Sequence, residues 1–413
     1  MNRSDLVRAL TDRHVADWVL TTRDQELAVV GPELHRRELR SRWSLVVHDD
    51  VSNGRGSARL ELTGADGNAN DVVDGALAVA HASIGAPWRT RPPAAPAHVD
   101  LHDPALDVAD LVGAAAAVAR GAAMRKGIEA SATVLRESVN VETHQGLKTS
   151  WIATHVRVDL TIANGDHSVE LSREARRVSD LALDDAVAAA LADLAARDGA
   201  GDPAPGPCTL LVGVDALLHG GGYGMWAVFA SQADAILERE GLTRYHEGIA
   251  VAPGADAIAD PLSIASDGAL DHGTLSAPVG DDGDAIRKFS LVERGVASGL
   301  GLSPREAAFR KRDPNGGVRN LVVSLGSLDK ADGARVVEVR RLRSLAIDPY
   351  TGDASFEIAL GIDHATGKPF AGGTVRLDLI AALAKAKRSA TPVRRGPYSG
   401  PTSVQIDDAE LLG

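Results

Sequence analysis

The chain has 413 residues, enough for two or three domains at about 150 residues each. Apolar residues make up 44% and charged residues 24%, the profile of a folded chain rather than a disordered or fibrous one. The 44 Lys and Arg against 56 Asp and Glu give a net charge of −12 that repels phosphate backbones, and 3% aromatics leave few platforms for stacking on bases, so no nucleic-acid partner is expected. The single cysteine, Cys208, excludes an intramolecular disulfide and any CxxC-type metal site. The first 15 residues spread charges without an apolar run, unlike a signal peptide, and the longest apolar stretch, at 111–119, is short of the ~20 residues of a membrane span. A cytoplasmic protein with no membrane partner is expected.

In chain order, Ser4 reads as the N-cap of a first helix carrying Leu6, Val7 and Leu10. Residues 42–48 (RWSLVVH) and 58–62, on either side of a polar, Gly-rich turn at 49–56, predict a β-hairpin. Ala-rich helices are predicted over 70–83 and 107–124, joined by a connector at 87–93 (PWRTRPP) too rich in proline for either element. Val156, Val158, Leu160 and Ile162 alternate with His155, Arg157, Asp159 and Thr161, the period of a half-buried strand. Just upstream, 139–141 and 150–152 flank a turn at Gln145-Gly146, giving an antiparallel meander, and a helix over 183–196 closes this half.

Residues 197–207 (RDGAGDPAPGP) lack periodicity and mark a boundary between an N-terminal domain at 1–200 and a C-terminal domain at 208–413. Beyond it, apolar runs at 209–214, 321–325, 354–360 and 374–379 predict strands, with helical inserts at 225–239 and 380–387. The expected fold class is α+β in two domains: an N-terminal α+β domain with antiparallel strands, then a mostly antiparallel β domain with helical inserts.

The stretch His219-Gly220-Gly221-Gly222-Tyr223-Gly224 invites three readings. An esterase-type oxyanion loop requires a serine on a G-x-S-x-G elbow, and Ser298 and Ser399 have the wrong glycine spacing. A dinucleotide loop fails because Met225 stands where the third glycine belongs. The remaining reading is a strand-to-helix turn where backbone packs closely on backbone. His246-Glu247 lacks a histidine at the spacing a zinc helix needs and reads as a solvated loop. Cys208 reads as a buried, inert thiol. Asp281-Asp282-Gly283-Asp284 lacks the later ligands of a calcium loop and reads as a solvated turn. The basic residues at 385–388 together with Arg394 and Arg395 read as an exposed helix end. No catalytic constellation emerges from spacing alone.

The order of features is more telling than any one of them. Gly54-Arg55-Gly56-Ser57-Ala58, the helix with Asp74-Gly75-Ala76-Leu77, the proline-rich connector and the turn Thr143-His144-Gln145-Gly146 are followed by 208–219, 289–302 (FSLVERGVASGLGL) and Asp348-Pro349-Tyr350-Thr351-Gly352-Asp353. In this order the chain resembles the TldD/PmbA family, also called TldE-like or modulator-of-DNA-gyrase proteins. The resemblance implies a two-domain α+β fold and pairing of subunits around an internal cavity. In the family's active subunits it implies zinc held by HExxxH on a central helix plus a late cysteine, with cleavage of unstructured peptides. Here only His219 matches that motif; Gly220 stands at the glutamate, Gly224 at the second histidine, and no cysteine follows Cys208.

The resemblance therefore implies a TldE-like, metal-free subunit with no catalytic residues, no metal site and no cofactor of its own. Zinc is expected in a TldD-like partner, an unstructured peptide as substrate, and His219, Gly220, Gly221, Tyr223 and Gly224 as a peptide-binding or vestigial site. Two alternatives stand beside it: a non-catalytic peptide-binding homodimer, and a stand-alone enzyme using His219, Tyr223 or His246 without zinc.

Overall fold

The computed structural model describes residues 2–52, 54–63, 67–90, 95–123, 127–165 and 167–413. The first half runs α1 (Arg3–Asp12), β1 (Asp17–Val30), β2 (His35–Val51), β3 (Gly54–Thr63), α2 (Ala69–Ala82), β4 (Ile84–Gly85), α3 (Leu111–Ala122), β5 (Ile128–Thr143), β6 (Lys148–Asn164), β7 (His167–Ala175) and α4 (Leu183–Arg197). Its strands form one seven-stranded antiparallel sheet in the order β4-β3-β2-β1-β5-β6-β7. Alternation along each strand gives that sheet two unlike faces. One face packs Trp18, Leu20 and Leu45 against α1 and α2, and Ala132, Val156, Val158 and Leu160 against α3 and α4. The other carries Val19, Val46, Val139 and Val141 against Val279 of the second half, and further along it is polar.

Local signals set the helix ends. Asn2, not Ser4, caps α1, its Oδ1 accepting from the Asp5 N–H at 2.9 Å. Asp110 caps α3 by accepting from the Gly113 N–H at 2.9 Å, so that helix begins four residues later than the composition suggested. Its expected end at Met124, and positions 91–93 of the connector, lie outside the described residues. Trp88 of the connector is buried beneath the Arg55 guanidinium, which lies 4.6 Å from its ring. Arg55 also donates to the Trp88 carbonyl at 3.2 Å and to Asp17 at 2.5 Å, and Asp17 in turn lies 2.5 Å from His144 Nδ1.

The second half runs β8 (Gly206–Gly213), α5 (Val214–Leu217), α6 (Ala227–Gln232), α7 (Ala235–Arg239), β9 (Ile264–Asp267), β10 (Phe289–Glu293), β11 (Val296–Ala297), α8 (Pro304–Phe309), β12 (Asn320–Val323), β13 (Val336–Ile347), β14 (Asp353–Asp363), β15 (Lys368–Phe370), β16 (Thr374–Asp378), α9 (Leu379–Lys385), β17 (Lys387–Arg388), β18 (Pro392–Arg395), β19 (Tyr398–Pro401) and β20 (Ser403–Leu412). One sheet follows β11-β10-β9-β12-β19-β18; the other follows β13-β8-β20-β16-β14-β15, and pairing of β13 with β14 closes it on itself. Pairing is mostly antiparallel, with β12–β19 and β13–β8 parallel. The molecule is thus a two-domain α+β fold.

Two expectations here are corrected. The helix expected over 225–239 is broken: Asp234 caps a fresh helix, α7, by accepting from the Ile236 and Leu237 N–H groups at 2.8 and 3.1 Å. The exposed basic helix end expected at 385–388 is not one either. Arg388 is fully buried, donating to the carbonyls of Ser324, Ala386, Asp260 and Pro261 and pairing with the Asp260 carboxylate at 3.1 Å. Five donors in a fixed fork suit such a carbonyl-lined socket.

The halves are joined by buried polar bonds. Arg176, just past β7, donates to the carbonyls of Gly273, Thr274 and Ser276 at 3.3, 3.0 and 3.5 Å, and back to the Thr154 carbonyl at 3.2 Å.

Candidate functional site

Between the polar face of β5–β7 and the second half lies a cleft of about 840 Å³. The sheet wall follows from the alternation already visible in the sequence. Val156, Val158, Leu160 and Ile162 are buried under the helices, so Arg157, Asp159 and Thr161 must face the other way, into the cleft. Register places Arg157 beside Glu174, Asp159 beside Ser172, and Thr161 between Glu129 and Glu170. The opposite wall is built from α5, the loop that follows it, β13 and the end of β18.

Helix α5 lasts a single turn. After it, Gly220, Gly221, Gly222 and Gly224 all adopt positive φ, at 78°, 81°, 58° and 54°. The first three face open space, so only their backbone conformation calls for glycine. Gly224 is different, since a Cβ there would lie 2.1 Å from the Leu217 carbonyl oxygen. A close turn of backbone on backbone is therefore what the sequence builds at this point.

His219, Gly220, Gly221 and Gly222 line the cleft. Tyr223 and Gly224 turn away into the second-half core. The Tyr223 hydroxyl donates to the Arg319 carbonyl at 2.5 Å, and burial pushes its pKa up to about 12. Burial pulls His219 below the usual imidazole range. His246 is exposed and lines a separate small cavity beside Tyr245 and Ile249, so His219, Tyr223 and His246 do not converge. Glu247 pairs with Arg312 at 2.7 Å. Cys208 is buried in β8, and burial raises its thiol pKa. Within 281–284, Asp281 is exposed as expected, but Asp284 is buried, which corrects the solvated-turn reading there; burial and the nearby Asp282 raise its pKa to about 7.

At the cleft floor, sequence reasoning missed the main feature. Asp215 of α5 accepts from Arg173 of β7 at 2.8 Å, lies 3.1 Å from Arg341 of β13, and takes a short contact from Arg395 of β18. Burial pushes its carboxyl up, but Arg341, Arg395 and Arg173 outweigh that and hold it below the ordinary range. Arg173 is in turn lowered by burial and by the like charges of Arg395 and Arg341. Arg341 is shared with Asp193 of α4 at 2.7 Å. A signal for Asp215 existed: it is the one carboxylate beside the His219 glycine run, four residues before that histidine. Arg173 and Arg341 carry no comparable mark, because each sits on a strand whose partners are distant in sequence.

This donor set does not fit a catalytic zinc ion. Gly220, Gly221 and Gly222 offer no side chain beside His219, and Asp215 is committed to three guanidinium groups. Among the described residues no three His, Cys, Asp or Glu side chains stand together so as to hold a metal ion. Nor is any helix among them long and apolar enough to cross a membrane.

Comparison with known proteins bears on this geometry. Residues 227–412 match the family model described as PmbA/TldA metallopeptidase C-terminal domain. Comparison with curated protein sequences finds no match. Among solved structures, the chain is similar to TldE from Thermococcus kodakarensis, with 14% identity, 99% of each chain covered and a TM-score of 0.74. It is also similar to a candidate modulator of DNA gyrase from Thermotoga maritima, with 14% identity, 99% of each chain covered and a TM-score of 0.77. A third, from Bacteroides thetaiotaomicron and described likewise, has 16% identity, 99% of this chain and 98% of that one covered, and a TM-score of 0.74. At these identities the structural likeness speaks to the fold, and the family model speaks to descent. The second half of the chain thus matches the PmbA/TldA metallopeptidase C-terminal domain, and the chain as a whole shares its fold with TldE and the two gyrase-modulator proteins.

Proposed function

We propose that this chain is the metal-free, TldE-like subunit of a cytoplasmic metallopeptidase, pairing with a zinc-bearing TldD-like chain that cuts unstructured peptides. The observation that carries the reading is the glycine loop after α5. Where a zinc-binding helix needs two histidines and a glutamate on one continuous helix, this backbone leaves the helical region at Gly220 and stays out of it through Gly222. The role left to the chain is to wall a cavity and hold an extended peptide. Strand β7 suits that role: it ends its sheet, pairs through β6 alone, and presents Glu170, Ser172 and Glu174 to the cleft. Co-expression with a zinc-bearing relative, followed by size-exclusion chromatography and a peptidase assay on a casein digest, tests the proposal. A stable complex whose activity needs both chains is expected. Separate elution, with activity unchanged by this chain, rejects it.

A peptide-binding homodimer is the second reading. It is favoured by one feature: the cleft is complete within a single chain. Under it, the purified protein elutes as a dimer and binds peptide without cleavage.

A further inference from the structure

A second cavity lies apart from the cleft and shares no lining residue with it. It is a pit of about 80 Å³ at the junction of the two halves. Gln145, Arg287 and Asp313 are exposed at its rim, and the buried Asp17 and Asp284 lie at its depth. Val19, Ala285, Pro304 and Pro314 give the wall between them an apolar lining. The turn that supplies Asp284 is shaped around its carboxyl. A Cβ on Gly280 would lie 2.0 Å from Asp284 Oδ1, and one on Gly283, at φ 72°, would lie 2.7 Å from Thr143 Cγ2. Glycine at both positions lets the turn close on the side chain and seat against the first half.

Asp284 is 9% exposed, and its Oδ2 meets no hydrogen-bond donor. The carboxylates near it are each committed to a guanidinium group: Asp17 to Arg55, Asp282 to Arg59, Asp313 to Arg287 and Asp281, more loosely, to Arg319. His144, also on the pit wall, lies against Asp17 at 2.5 Å. These pairs leave Asp284 without a counter-charge among the described residues. A buried carboxyl oxygen that lacks a donor gains from an incoming one what a hydrated surface carboxylate does not.

The volume restricts what can enter. About 80 Å³ is near half of the ~150 Å³ that accommodates benzene, so the pit takes a slender chain and excludes a ring. An ammonium group on a short alkyl chain meets both demands, with methylenes along the apolar wall and a donor head at Asp284. We propose that this pit binds a primary ammonium group carried on a short alkyl chain, with Asp284 as its counter-ion. A free amine and a lysine side chain share that chemistry. The site holds or falls separately from the peptide-binding cleft.

The test is a ligand-observed NMR titration of the full chain at pH 8. It compares n-butylamine with n-butanol, and Nα-acetyl-lysine methylamide with its norleucine counterpart. An amine is expected to bind at least about tenfold more tightly than its uncharged counterpart. Binding of the lysine derivative assigns the pit to a side chain, and binding of butylamine alone assigns it to a free amine; either supports the site. A carboxyl titrating near 7 is about a tenth ionised at pH 6 and about nine-tenths at pH 8, so amine affinity should rise about tenfold between them. Asp284→Asn removes both the preference for amine and its pH dependence, which separates Asp284 from His144. Asp281→Asn, the same change of charge at an exposed place on the same turn, shifts affinity by less than about threefold. Equal losses in the two variants, or no preference of the wild-type protein for either amine, overturn the inference and leave the pit to ordered water.

Discussion

Arg173 on the last strand of the first sheet and Asp215 on the single-turn helix of the second half meet at 2.8 Å, tying the two halves together at the floor of the cleft. Asp215 is the counter-charge to three arginines at once. Asp215→Asn removes it and leaves three guanidinium groups facing one another, so a loss of about 3–5 kcal/mol is expected. Urea denaturation at pH 7 measures it, and a loss under 1 kcal/mol contradicts the role assigned here.

Two buried groups give opposite pH dependences. Asp284 has a folded pKa near 7, raised by burial and by Asp282. Between about pH 4 and 7 the folded state keeps a proton that the unfolded chain has released, so this group's contribution falls as pH rises, by at most about 4 kcal/mol. His48 is held near 4 by burial and by Arg55, and its contribution falls as pH drops from about 6.5 to 4. Urea midpoints measured from pH 4.5 to 8 should show Asp284→Asn removing a fall in stability as pH rises to about 7, and His48→Gln removing an opposing fall as pH drops below about 6.5. Parallel wild-type and Asp284→Asn curves exclude the first assignment.

The glycine loop separates two kinds of cost. Gly221→Ala meets open space and pays only for positive φ, about 1–2 kcal/mol. Gly224→Ala adds a collision with the Leu217 carbonyl and is expected to lose roughly 3 kcal/mol or more. Because this backbone is not helical, Gly220→Glu combined with Gly224→His does not build a zinc site. Metal analysis after dialysis should find no stoichiometric zinc in that variant, and finding it refutes the loop geometry as the barrier.

Arg388 fills a socket of four carbonyl oxygens. Arg388→Ala leaves them buried and unpaired, at an expected loss above about 3 kcal/mol. Arg388→Lys should fail to restore it, since a point ammonium cannot span the same acceptors. Recovery of the wild-type thermal midpoint by the lysine variant contradicts this.

What the sequence disclosed depended on how local the determinants were. The alternation at 155–162 announced β6 and, with it, which side chains face the cleft, because burial of every second residue is written in the pattern itself. Helices α2 and α4 were legible from Ala-rich periodicity. Strand β1 was not, because Arg23, Asp24, Gln25 and Glu26 interrupt its apolar rhythm. Those polar side chains are satisfied across strands, Glu26 by Arg37 at 2.7 Å and Arg136 at 2.6 Å, and neither partner is marked as such in the sequence. The cleft floor was hidden for the same reason: Arg173, Asp215, Arg341 and Arg395 are brought together only by the fold. The break between α6 and α7 was missed although Asp234 marks it, since a capping aspartate within an apolar run is easily read as the polar side of one longer helix.

The joint made by Arg176 grips carbonyl oxygens and no side chain of the strap at 273–276. Every amino acid supplies a carbonyl, so the hold itself asks nothing of the strap's side chains. What fixes Gly273 and Ser276 is their other neighbours, since a Cβ on Gly273 would lie 2.4 Å from the Ser276 Oγ, which accepts from Asn320 at 2.8 Å. At this joint the alignment of the halves, and with it the width of the groove they enclose, rests on one side chain and the course of a main chain, where the Arg173–Asp215 tie depends on a matched pair of side chains.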